Sequence, residues 1–98
     1  MQVNETLTNI VRGHTIEVVN KEEGLVTVLF NDRSTMKLKI VGGPTMNMLG
    51  EGRIESVEED GAELVFFGEN DRRAMLRVAA PGSSITVKDR DGVLEYTG

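Results

Sequence analysis

Period two dominates wherever this chain has a period. Ile16 and Val18 alternate with Thr15 and Glu17, and Met36, Leu38 and Ile40 alternate with Thr35, Lys37 and Lys39. Successive side chains of an extended strand point to opposite faces, so this spacing predicts strands with one face buried and one face wet. The segments 24–31 (GLVTVLFN) and 62–68 (AELVFFG) are more continuously apolar and rich in β-branched and aromatic residues. They are expected to be the middle strand of each half, buried on both sides. Lys21-Glu22-Glu23-Gly24 and Glu58-Glu59-Asp60-Gly61 are polar and end in glycine, the chemistry of a tight turn. Asn31-Asp32-Arg33-Ser34 and Gly68-Glu69-Asn70-Asp71 make a second turn in each half.

These halves superpose. At a constant offset of 38 positions, Ile16 falls on Ile54, Glu17 on Glu55, Val19 on Val57, Val26 on Leu64, Leu29 on Phe67, Leu38 on Leu76, Lys39 on Arg77 and Ile40 on Val78. A repeat of this length suggests two similar units that bury their apolar faces against each other. The pattern places repeats at 14–40 and 52–79, with strands at 14–20, 24–31 and 33–40, then at 52–58, 62–68 and 72–79. A linker covers 41–51, and a C-terminal hairpin covers 83–97 with strands 84–88 and 93–97 around Asp89-Arg90-Asp91-Gly92. Only the first dozen residues suggest a helix: Leu7, Ile10 and Val11 share one face, Asn4 or Thr6 can cap its start, and Gly13 can follow its end. Such a helix is expected to plug one open end of the strands. The fold class read here is all-β, a small barrel or sandwich of two pseudo-repeated three-stranded meanders plus a C-terminal hairpin and a short N-terminal helix, in a single domain 1–98. Small twisted barrels of the SH3-like or Sm-like kind, or a split barrel of two meanders, fit this description.

With 98 residues, such a domain buries about 60–65% of its unfolded surface and needs neither a disulfide nor a metal to hold it. Cysteine is absent, which fits a reducing compartment. The N-terminal residues lack the pattern of a secretory signal and no apolar run reaches membrane-spanning length, so a soluble, cytoplasmic protein without membrane contact is expected. The formal net charge is −5, and the six acids against one base between Glu51 and Glu63 carry all of it. Non-specific binding to nucleic acid rests on neutralising phosphates, so general nucleic-acid binding is not expected. Glu58, Glu59 and Asp60 can instead select a basic protein partner, although a solvated turn explains them as well.

The side chains that carry chemistry are few. His14 is the only histidine, and no orienting or reacting partner for it can be named from the sequence. Ser34, Ser56, Ser83 and Ser84 stand in no nucleophile-elbow motif. Asp89-Arg90-Asp91-Gly92 lacks the third acidic ligand and the distal Glu of a calcium loop, and the glycine-rich linker precedes no Lys-Ser/Thr pair. A noncatalytic protein without metal or cofactor is therefore expected. Met46, Met48 and Leu49 in the linker can form an adaptable contact patch, or fold over the open edge of the first sheet and fill gaps.

Lys37, Lys39, Arg73 and Arg77 are placed by the repeat on strand faces where they can converge on an anion. Arg73 to Arg77 resembles the RxxxR element of PilZ domains, small β-barrels that bind cyclic di-GMP. The resemblance covers five residues, and the family's downstream Asp/Asn-x-Ser-x-x-Gly element does not follow Arg77. The expectation is a binding or assembly module for a protein partner, itself among others, with a small-anion or nucleotide sensor as the alternative.

Overall fold

The computed structural model describes residues 1–46 and 52–98. The elements are β1 (Gln2–Val3), α1 (Glu5–Val11), β2 (Ile16–Glu22), β3 (Leu25–Phe30), β4 (Thr35–Lys39), β5 (Thr45–Met46), β6 (Ile54–Asp60), β7 (Glu63–Gly68), a 3-10 turn (Glu69–Asp71), β8 (Arg73–Arg77), β9 (Ile85–Lys88) and β10 (Leu94–Thr97). The strands build two antiparallel five-stranded sheets. The first has the order β10-β9-β4-β3-β2 and the second β1-β6-β7-β8-β5. The expected all-β architecture is what the chain adopts, and the three strands β2–β4 map onto β6–β8 at the 38-residue offset with identical bounds.

Both meanders turn through two residues, Glu23-Gly24 after β2 and Gly61-Ala62 after β6. Glycine supplies the left-handed φ in each, from the second position in one (74°) and the first in the other (59°). The β3–β4 and β7–β8 turns hold Arg33 and Asp71, equivalent residues, at positive φ (71° and 58°). The hydrogen bonds repeat too. Asn31 N–H donates to Thr15 O and Glu69 N–H to Arg53 O, while Phe30 N–H donates to Ser34 O and Gly68 N–H to Arg72 O.

A bulge interrupts the alternation at the same point in both halves. The register with the neighbouring strand shifts between Ile16 and Val18 in β2, and between Ile54 and Ser56 in β6. The period-two reading set Ile16 and Val18 on one face; the extra residue at Glu17 instead turns Val18 outward, 51% exposed, and brings Val19 against the core. The central strands also depart from two-sided burial. β3 alternates buried and half-buried positions, and only β7, with Leu64, Val65 and Phe66 all buried, approaches the expected pattern.

One apolar cluster lies between the sheets, with contributions from both repeats and from Leu7 and Val11 of α1. Its volume is balanced across the repeats. Val28 faces Met36 across the first sheet, and the equivalent pair in the second is Phe66 and Ala74. All four are buried, so a small-plus-large pair fills the layer in both, with the large member on opposite strands. The repeats join at an antiparallel bridge between the equivalent residues Ile40 and Val78. Val41 N–H donates to Arg77 O (2.8 Å) and Ala79 N–H to Lys39 O (2.9 Å), a reciprocal pair that marks a local pseudo-two-fold. The linker residues Thr45–Met46 pair with β8. They lie on the edge of the second sheet, not over the first, because the seam at Ile40 carries the chain across to β8.

Candidate functional site

The strongest contrast between the repeats lies along the outer edges of β2 and β6. On β6 the edge from Ile54 to Glu59 is engaged by residues 2–14. Gln2 and Val3 pair with Glu59 and Glu58, and Asn4 N–H donates to Val57 O (2.8 Å). The Thr8 hydroxyl accepts from Val57 N–H at 2.9 Å and lies 3.3 Å from Val57 O. Arg12 Nε donates to Glu55 O (3.1 Å), Gly13 N–H donates to Ile54 O and Ile54 N–H to His14 O. Helix α1 serves this edge through Thr8 while Leu7 and Val11 enter the core. Asn4 caps it by accepting from Leu7 N–H (3.0 Å) and donates through Nδ2 to Tyr96 on β10 (2.9 Å). The helix thus spans from the edge of one sheet to the edge of the other. Gly13 has the expected positive φ after the helix, yet its amide serves Ile54 instead of a helix carbonyl.

The equivalent edge, on β2, has no strand or helix against it among the described residues. The equivalence of Val19 to Val57 directs its N–H and C=O outward along this edge. Glu17, Val18, Asn20, Lys21 and Glu22 are exposed beside them, and neither Glu17 nor Lys21 forms an ion pair among the described residues. An open strand edge of seven residues is a template for a further strand.

The basic residues separate into two groups. Lys39 and Arg77 flank the Ile40–Val78 bridge and face outward as diagonal neighbours, and Lys37 lies one alternation away on β4. Arg77 is 3.7 Å from Glu63 on β7, so on this sheet base and acid share a face. Arg73 sits at the far end of β8, about 13 Å along the strand from Arg77, with its guanidinium over the Phe67 ring (5.4 Å). Glu59 and Asp60 line a cleft of about 400 Å³ at the end of the sandwich, together with Glu63, Val78, Ile85 and Gly98. Glu58 lies instead on the outer face of the second sheet, in a row with Val3, Val65, Met75 and Thr45. Met46 is partly buried against the core, while Met48 and Leu49 lie outside the described residues.

Sequence reasoning found no partner for His14, and the structure supplies one. His14 Nε2 is 2.7 Å from Asp32 Oδ2 in the β3–β4 turn, its Nδ1 lies 3.1 Å from Val11 O, and its ring meets Phe30 edge-on. The other Asp32 oxygen accepts from the Ser34 hydroxyl and from Ser34 N–H (2.9 Å). Burial pushes the Asp32 carboxyl up, but the Ser34 hydroxyl and amide with the His14 ring outweigh it and hold it below the ordinary carboxylate range. The carboxylate stands between histidine and a buried serine, so the imidazole cannot take a proton from that hydroxyl. This arrangement ties a turn to the strand entrance. In the other repeat the three positions are Gly52, Asn70 and Arg72, and a Cβ on Gly52 would lie 3.2 Å from Arg72 Cδ. The joint change of all three aligned positions is the sequence signal that marks them as one unit.

No group of three or more metal-ligating side chains that could hold an ion occurs among the described residues. No helix there is long and apolar enough to cross a membrane. No protein-family model, curated protein or solved structure matches the chain.

Proposed function

We propose that this protein is a noncatalytic assembly module that engages a protein partner by accepting a strand along β2. The observation that carries this reading is the asymmetry of the repeats: the β6 edge is sealed by residues 2–14, and the same edge on β2 is open among the described residues. Strand addition satisfies exposed amides and carbonyls with backbone hydrogen bonds, and flanking side chains then select the partner. A photo-crosslinking residue in place of Val18, in the cells that make the protein, tests it. The expected result is one discrete protein adduct that disappears when Val19 is also changed to proline. Absence of any adduct, or an adduct indifferent to Val19→Pro, overturns it.

A second reading is supported by the diagonal placement of Lys39 and Arg77 across the seam: a small anion or a cyclic dinucleotide bound on that face with help from Lys37. Amide shifts at Lys39 and Arg77 on titration with a nucleotide panel support this reading. Unchanged spectra remove it.

A further inference from the structure

We infer that the outer face of the first sheet is a docking surface for an extended acidic segment of a protein partner. From the assembly reading above the inference takes only that the partner is a protein. The contact it adds lies on the sheet face beside β2, away from the strand edge.

The register defines this face. Val26 and Val28 of β3, Met36 and Leu38 of β4, and Ile85 and Val87 of β9 enter the core, so the residues between them point outward. Lys37 and Lys39 on β4 and Lys88 on β9 are all exposed there. Lys37 and Lys39 are one alternation apart, roughly 6.6–6.8 Å along the strand. Lys88 pairs with Thr35, and Lys37 pairs with Thr86, which sets Lys37 and Lys88 as diagonal neighbours at roughly 7–8 Å. The three lysines form one track that crosses from β4 to β9.

That track belongs to a chain whose net charge is −5. None of the three lysines forms an ion pair among the described residues. Glu22 is the acid that the register places on this face, in a row with Leu25 and Lys39, two strands or roughly 9–10 Å from Lys39. Glu95 falls in the irregular stretch of β10 and opposes no residue of β9. Arg77, beyond the seam, stands against Glu63, whereas the lysines keep a positive excess. A patch of one sign attracts a partner of the other.

The spacing and the neighbours point to a peptide. In an extended chain, residues i and i+2 share a face with the spacing of Lys37 and Lys39, so carboxylates at alternate positions of a segment running along β4 reach both. Exposed ion pairs contribute little singly, and the face supplies a second kind of contact. In the row through Thr35 and Lys88, the flanking residues are Leu29 and Val18 on one side and Leu94 on the other. Val18 and Leu94 are 51% and 53% exposed, and an acidic segment that ends in apolar residues covers them as well. A single-stranded nucleic acid, the competing polyanion, binds by stacking its bases on aromatic side chains. Phe30 and Tyr96, the rings of this sheet, pack against the core instead.

Amide shifts on titration with a synthetic peptide of alternating glutamate and threonine, ending in leucines, test the inference. The expected result is saturable shifts centred on Lys37, Lys39 and Lys88 that weaken as salt is raised. Lys37→Glu and Lys88→Glu each reduce the affinity about tenfold, whereas Lys21→Glu, with the same change in net charge, alters it by less than about twofold. Lys21 is the control because it pairs with the inward-facing Val26 and so lies off this face. The same peptide with glutamine for glutamate gives no shifts. Absence of shifts with the acidic peptide overturns the inference, and so does binding that Lys21→Glu weakens as much as Lys37→Glu. Tighter binding of an oligothymidylate of equal charge also overturns it and makes the face a nucleic-acid surface. The two readings fail separately. Loss of peptide binding with the Val18 crosslink intact removes only this inference, and peptide binding without a Val19-dependent crosslink removes only the strand-accepting one.

Discussion

The two repeats share strand bounds, bulges, turn hydrogen bonds and a core layer, yet differ in what lies against their outer strands. β6 is covered by β1, Asn4, Thr8 and Gly13, whereas β2 is bare among the described residues. Their outer faces differ as well. The middle row of the first sheet runs Asn20, Thr27, Lys37, Thr86 and Thr97, all polar; the corresponding row of the second contains Val3, Val65 and Met75. The lesson is that the inner faces share one constraint, filling a common space, while each outer surface is free to answer to its own surroundings.

The largest predicted effect concerns that common space. Ala74→Met alone overfills the layer against Phe66 and is expected to cost about 2–3 kcal/mol in urea unfolding. Phe66→Val alone leaves a void and costs a similar amount, about 2–4 kcal/mol. The double variant rebuilds the Val–Met arrangement of the first repeat and is expected to recover to within about 1 kcal/mol of wild type. Strict additivity of the two changes would show that the repeats do not share this packing solution.

Next comes the seal on β6. Thr8→Val keeps the shape but strands the buried N–H of Val57, with an expected loss of about 2 kcal/mol, and Thr8→Ser retains most of the stability. Amide exchange at Val57 should quicken in the valine variant alone. Equal stability of both variants would refute the hydroxyl's role.

The two meanders were legible because turn glycines, alternation and the 38-residue offset all agreed. What escaped the sequence has physical reasons. β1 and β5 span two residues each, too few to show any period. The bulges were hidden because Ile16, Val18 and Val19 are all apolar, and only pairing with β3 decides which face inward. The His14–Asp32 contact joins residues 18 apart in sequence, and depends on the β2–β3 register that brings the strand entrance beside the far turn. Of the basic residues, the offset correctly aligned Lys39 with Arg77. The partners Glu63 and Phe67 needed the β7–β8 register to be seen.

Two smaller effects sharpen the contrast between the turn clusters. Gly52→Ala places a Cβ at φ 74° and against Arg72, and should cost about 1 kcal/mol in thermal unfolding. A neutral result would mean that Arg72 moves freely aside. Asp32 has a lowered folded-state pKa, so its stabilising contribution is present above the unfolded carboxylate value and is lost as pH falls through the folded one. The stability difference between wild type and Asp32→Asn should therefore shrink on acidification. It is expected to stay below about 1 kcal/mol, since the carboxylate is 49% exposed. A difference that grows toward acid would reverse this assignment.

Under the strand-accepting reading proposed above, the segment that covers β6 also limits how many strands one molecule can accept. A strict duplication would leave two like edges, each able to take on a neighbour, and growth would then run on as a ribbon. By occupying one of them within the same chain, residues 2–14 leave only the β2 member of this pair open among the described residues. The N-terminal residues thus act as a built-in terminator for the strand edge they complete.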